Sequence, residues 1–206
     1  MKKIIILLLP LIFIFTNQSC KKQDLDPYPK PLNPNLKYFG YTLVDVGFND
    51  PTDNSSKTNY IDEVADYSNV ADILVTEPTD NIVSRMQVFD QYGVKSVIHL
   101  FYLLFEETAQ GGGSGHIYSL RSNYQSRIND FISTNNLTVN SSLIELFYIG
   151  EEPTWNGVSH LEFKTACDYV KATLPSVKLL YIEAFAAVDE MEIPSSIDIV
   201  GFDHCF

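Results

Sequence analysis

Residues 143–155 read Leu-Ile-Glu-Leu-Phe-Tyr-Ile-Gly-Glu-Glu-Pro-Thr-Trp, from Leu143 to Trp155, and the reading of this stretch decides the fold. A mostly apolar run of strand length predicts an inner strand covered on both faces. Directly after it come two adjacent carboxylates, Glu151 and Glu152, then Pro153 and Trp155, the only tryptophan of the chain. Barrel and doubly wound α/β proteins keep their active sites just past the C-terminal ends of such strands, so Glu151 and Glu152 are candidate catalytic residues. A plainer role competes with this one, because acidic residues also suit the first turn of a following helix, where the macrodipole favours negative charge.

Working outward, strand and helix alternate. Tyr38–Asp45, Ala71–Glu77 and Lys95–Tyr102 read as strands, and Asn59–Tyr67 and Asp80–Tyr92 as helices, the second closed by Gly93. Leu120–Thr134 carries Leu120, Tyr124, Ile128 and Phe131 at helical spacing. After the central strand, Ser159 and Glu162 form a capping-box pattern that opens a helix with Phe163, Ala166, Val170 and Leu174 on its apolar face. Val177–Glu183 and Ile197–Phe202 follow as the fifth and sixth strands. Between Glu106 and Ser119 the periodicity lapses into Gly111-Gly-Gly-Ser-Gly115. Without the Lys-Ser or Lys-Thr sequel of a phosphate loop, this is expected to be a flexible loop, either a lid over the site or a plain linker.

The alternation predicts right-handed βαβ units and a parallel sheet, and no Gly-x-Gly-x-x-Gly follows the first strand to support a dinucleotide site. Polar residues instead stand at nearly every strand end: Asp45, Glu77, His99 with Tyr102, Glu151 with Glu152, Glu183, and Asp203 with His204. That distribution suits the mouth of a (β/α)8 TIM-type barrel. Six of the eight units are counted, and the chain ends at Phe206 directly after the sixth strand, so residues 37–206 are expected to be an incomplete barrel, a fragment of a longer reading frame. A smaller open α/β sheet is the alternative.

Lys2 and Lys3 precede an apolar run from Ile4 to Phe15, and Cys20 follows shortly after. This is the layout of a secretory signal with a lipobox-like end, although a Leu is expected where Asn17 stands. Residues 1–19 are therefore expected to be a signal peptide and Cys20 a lipid-modified residue that anchors the protein in the cell envelope, at the outer membrane. Pro27, Pro29, Pro31 and Pro34 make residues 20–36 an extended tether. The net charge is −12, and removal of Lys2 and Lys3 with the signal makes it −14, which argues against nucleic acid or anionic lipid as a partner. Cys167 and Cys205 match no zinc spacing, and Cys167 is expected to be a buried helix residue. His99, His204 and Asp203 invite a metal reading, but no His-x-His follows the first strand, and neither a metal nor a cofactor is expected.

At Gly150-Glu-Glu-Pro153 the sequence resembles the end of strand four in TIM-barrel glycoside hydrolases of the large retaining clan, where Asn-Glu-Pro carries the acid/base glutamate. It also resembles the Asp-Glu-Pro and Glu-Glu-Pro variants of exported, hydrolase-like barrels of bacteroidetes. The resemblance implies a carbohydrate substrate, with Glu152 as proton donor and Glu151 in the place of an asparagine that helps hold the sugar. A Glu beside a second Glu in a partly desolvated mouth is expected to have a raised pKa, as a proton donor requires. Trp155 and Tyr102 are candidates for stacking on sugar rings, and Asp45, His99, Glu183, Asp203 and His204 for binding sugar hydroxyls, with ordinary packing the competing role for the aromatics. In that clan the second carboxylate comes from strand seven, beyond Phe206, which implies that these 206 residues alone do not cleave; in an enzyme of another type Glu183 or Asp203, both at strand ends, could serve instead. The alternative is a carbohydrate-binding lipoprotein that uses the same mouth without catalysis.

Overall fold

A computed structural model describes residues 36–45 and 57–203; the segment expected to be a signal, nearly all of the tether, Cys20, His204 and Cys205 lie outside the described residues. The strands are β1 (Gly40–Asp45), β2 (Val70–Leu74), β3 (Lys95–His99), β4 (Phe105–Gln110), β5 (His116–Leu120), β6 (Ile144–Glu151), β7 (Lys178–Ala184) and β8 (Ile199–Asp203). The helices are α1 (Ile61–Val64), α2 (Val83–Gln91), α3 (Phe101–Leu104), α4 (Tyr124–Thr134), α5 (Leu137–Asn140) and α6 (His160–Thr173).

Six strands form one sheet in the order β1-β2-β3-β6-β7-β8, and every adjacent pair is parallel. The order never doubles back, which distinguishes the winding of a barrel from that of a doubly wound sheet. On one face Ile73, Ile98, Phe147, Leu179 and Tyr181 pack with Met86 and Phe89 of α2, Ile128 and Phe131 of α4, and Phe163, Cys167 and Val170 of α6. Full burial of each such side chain contributes about 1.5–3 kcal/mol, so this helix-covered layer is the main source of stability. On the other face Val97, Leu146 and Tyr148 are also buried, and what packs on them is Tyr38 and further strand residues, Val70, Leu180, Ile182 and Ile199. A sheet that buries one face largely against itself is curled, and the protein is an incomplete (β/α) barrel of the α/β class.

The central strand β6 is the buried one, with Leu146, Phe147, Tyr148 and Ile149 all nearly or fully enclosed. The capping box forms as the sequence predicts: Ser159 accepts from the Glu162 amide, and the Glu162 side chain accepts from the Ser159 amide. Cys167 is buried in α6, where burial pushes its thiol pKa up.

The expectation for the glycine-rich stretch is overturned. The Glu106–Ser119 region is not a flexible loop but an antiparallel hairpin, β4 with β5, outside the main sheet. Five of the six β4 residues are exposed, so the strand has no apolar face for a sequence pattern to reveal. For the same reason the following helix starts at Tyr124 rather than Leu120, which closes the hairpin opposite Phe105.

Candidate functional site

The chain leaves β6 through a tight turn. Glu152 takes φ 47, a left-handed conformation that costs a residue with a Cβ on the order of 1–2 kcal/mol, and the following Pro153 disfavours helical conformations further. The turn is held by the Glu152 amide on Ile182 O (2.8 Å), the Asn156 amide on Glu152 O (2.9 Å) and the Val158 amide on Pro153 O (2.9 Å). Beneath it lies Glu183. Leu179 and Tyr181 face the helix layer, and the alternation of β7 sends Glu183 the same way, where it is fully buried. Its carboxylate accepts from the Thr154 amide (2.9 Å), the Trp155 amide (3.1 Å), the Ala184 amide (3.1 Å) and the Tyr181 hydroxyl (3.1 Å). In the described structure Glu183 therefore supports the turn from below, away from the solvent-facing side of the rim.

Above the rim, Glu152 is half-buried and hydrogen-bonded to Asp203, which the last strand brings in from the edge of the sheet. Burial, then the charges of Asp203 and Glu151, push the Glu152 pKa up to about 7. Glu151 is occupied differently, since its Oε2 accepts a short hydrogen bond from the Tyr148 hydroxyl. Burial, with the Glu151 charge second, raises the Tyr148 pKa, so the phenol keeps its proton and remains the donor. Neighbouring carboxyls thus have distinct partners: Glu151 has a neutral phenol, and Glu152 has another carboxyl.

The inner wall continues from Tyr148 to His99, whose rings lie 4.4 Å apart, and on to Tyr102 at 6.0 Å from His99. His99 is nearly buried, with Nδ1 3.8 Å from Asp72 Oδ2. Tyr102 lies on α3, just past the end of β3, and is partly exposed. Its pKa is raised by burial and by the Glu151 charge.

Asp45 is the candidate that the fold carries away from this cluster. Tyr41 pairs with Ala71, but four residues later Asp45 pairs with Ile73, so β1 contains extra residues, and Leu43 among them has φ 58. The two extra residues leave Asp45 beside Ile73 on the helix-layer side, where Arg85 Nε donates to its Oδ2 at 2.5 Å. The Leu43 amide itself donates to Asp72 Oδ1 at 2.6 Å.

Trp155 is half-buried beneath the tip of the hairpin. A Cβ at Gly113 would lie 1.8 Å from Trp155 Cε2, so only glycine permits this approach. The Gly113 amide donates to Trp155 O (2.8 Å), the Tyr118 amide to Asn156 O (2.9 Å), and Ser114 Oγ bonds Asn156 Oδ1. The glycine run is thus a fitted cover on one side of the indole.

Tyr148, Asp72, Tyr118 and Asn156 are site residues that sequence reading did not select. Asp72 carried a usable signal, a charge in the middle of an otherwise apolar inner strand. The others carried none apart from their residue type. Among the described residues no group of three or more His, Cys, Asp or Glu is arranged to hold a metal ion.

The fold and rim define an incomplete (β/α) barrel with a carboxyl-rich C-terminal mouth. No protein-family model and no curated protein matches the sequence. Solved structures of Gas2 from Saccharomyces cerevisiae are similar at 14% identity: one in complex with laminaritriose and laminaritetraose, at a TM-score of 0.40, and two with small compounds, at 0.44 and 0.45. Each match covers 66% of this chain, which spans about a third of the length of those structures (32–33%).

Proposed function

We propose that this chain is a glycoside hydrolase-like, carbohydrate-handling barrel in which Glu152 is the proton donor. The observation that carries the reading is the Glu152–Asp203 contact at the strand C-terminal rim, with the Glu152 pKa pushed up to about 7. Glycosidic cleavage needs one carboxyl that still holds its proton near neutrality, to pass to the departing oxygen. Asp203 supports that state by disfavouring a second negative charge beside its own. It is too near to be the second catalytic carboxylate, because acid and nucleophile stand about 5–5.5 Å apart in retaining enzymes, and acid and base about 6.5–9.5 Å apart in inverting ones. Glu151, tied to Tyr148, is suited to accept sugar hydroxyls. Glu183 acts in this reading by fixing the turn that presents Glu152.

These 206 residues are thus expected to bind glycans and not to turn them over. Calorimetry against a panel of β-glucan, xylan and mannan oligosaccharides tests binding, and a protein that binds none of them refutes the proposal. The Asp203 contact leaves the mouth without an assigned nucleophile, which also favours capture without catalysis. External azide with an aryl glycoside whose phenol is a poor leaving group separates the two readings: azide attacks the anomeric carbon, the carbon–oxygen bond breaks, and Glu152 protonates the departing phenoxide oxygen. Azide-dependent phenol release that disappears above about pH 7 supports the hydrolase-like reading; binding without release selects capture.

Export and lipid anchoring at Cys20 belong to the same proposal and rest on the sequence from Lys2 to Cys20. Radiolabelled palmitate is expected to enter the protein in bacteria and to be lost in Cys20→Ser; equal labelling of both would reject the anchor.

A further inference from the structure

We infer that the β4–β5 hairpin is the specificity wall of the mouth, and that Tyr118 on it extends the glycan-binding surface outward from Glu151. The inference rests on the carbohydrate reading above and adds the residue that senses ligand length.

Four rings follow one another from the buried wall to the hairpin. Tyr148, hydrogen-bonded to Glu151, lies 4.4 Å from His99; His99 lies 6.0 Å from Tyr102; Tyr102 lies 6.4 Å from Tyr118. His116, at 6.3 Å from Tyr118, continues the row toward the hairpin turn. Burial decreases from Tyr148 at 4% and His99 at 8% to Tyr102 at 37%, and Tyr118 and His116 beyond it are partly exposed. The outer rings are therefore the ones a ligand can touch. Aromatic faces next to hydroxyl groups suit pyranose rings, which present flat C–H faces and a polar edge. The Tyr118 and Tyr102 hydroxyls are hydrogen-bonded to each other, so the two phenols form one polar edge beside Glu151.

The hairpin is fixed rather than free to swing. Tyr118 packs edge-on against Phe101 at 5.0 Å, and Arg121, just past β5, donates from its backbone amide to Leu104 O (2.9 Å) and from Nε to Phe105 O (3.1 Å). The Gly113 and Tyr118 amides join the other side to the turn after β6. Because it spans the exits of β3 and β6, the hairpin holds Tyr118 at a set place relative to the carboxyls, as a length-sensing contact requires.

The test measures the affinity of the 206-residue chain for laminari- and cello-oligosaccharides of two to six units by calorimetry. In the parent, affinity is expected to rise with length. Tyr118→Leu, which keeps apolar contact with Phe101 but removes the ring, is expected to lose about tenfold on the hexasaccharide and under about threefold on the disaccharide. Tyr102→Leu, at a more exposed position, repeats the test should Tyr118→Leu fail to fold, with the same expectation. Unchanged length dependence in a folded variant overturns the hairpin inference alone. A parent that binds no oligosaccharide overturns the carbohydrate reading, and this inference with it.

Discussion

Glu152→Gln is expected to raise the stability of the protein by about 1–2 kcal/mol at pH 8 and to leave it nearly unchanged at pH 5. The folded-state pKa of Glu152 is raised, from 4.5 to about 7, so between those values the folded protein keeps a proton that the unfolded chain releases. Stability contributed by this group therefore falls as pH rises from about 4.5 through about 7, and ionised Glu152 is a net cost at pH 8. One pKa unit corresponds to about 1.4 kcal/mol, but Glu152 is partly open to solvent, and screening reduces the full conversion to the smaller range given. The glutamine keeps the shape, carries no charge and can donate to Asp203. Urea midpoints for parent and variant at the two pH values decide the matter. A gain of equal size at both, or a loss at pH 8, would mean that no proton is retained at Glu152 and would remove the basis for its role as acid.

The fold was legible where one physical constraint dominated. A strand buried on both faces must be apolar throughout, and β6 reads that way; the Ser159 and Glu162 cap is a local exchange of hydrogen bonds three residues apart. The strand-end positions of Glu151, Glu152 and Asp203 follow from the same alternation, and these three converge. Asp45 illustrates the limit. Its partner Arg85 stands 40 residues away in sequence, and neither the two extra residues of β1 nor the left-handed Leu43 among them has a local pattern that foretells the pairing. Glu183 was read as a mouth residue from its strand-end position, although it shares parity with Leu179 and Tyr181 on the helix side, and the amides that meet it belong to a turn of unforeseen shape. The hairpin was illegible because its exposed strand is held by glycine-permitted contact with a tryptophan some 40 residues away in sequence, and no local pattern encodes that approach.

Glu183→Ala is expected to cost about 3 kcal/mol or more, the largest stability loss from any single rim residue. The deletion removes the acceptor for the Thr154, Trp155 and Ala184 amides and the Tyr181 hydroxyl at once, in a place without room for solvent around the side chain. Glu183→Gln is expected to cost less, about 1–3 kcal/mol, because one oxygen still accepts while the new amide group opposes a backbone N–H. The chain supplies its own reporter: Trp155 is its only tryptophan, and its backbone is one of the groups released. Emission should move to longer wavelength in Glu183→Ala before global unfolding, as the indole leaves the cover of Gly113. The consequence reaches the proposed acid, because Glu152 begins the same turn and meets Asp203 only while that turn is held. Loosening it should return Glu152 toward an ordinary carboxyl and flatten the pH dependence of stability between about 4.5 and 7. A Glu183→Ala protein that matched the parent in both emission and pH dependence would show that the turn stands without its buried carboxylate, and that Glu152 owes its proton to the rim alone.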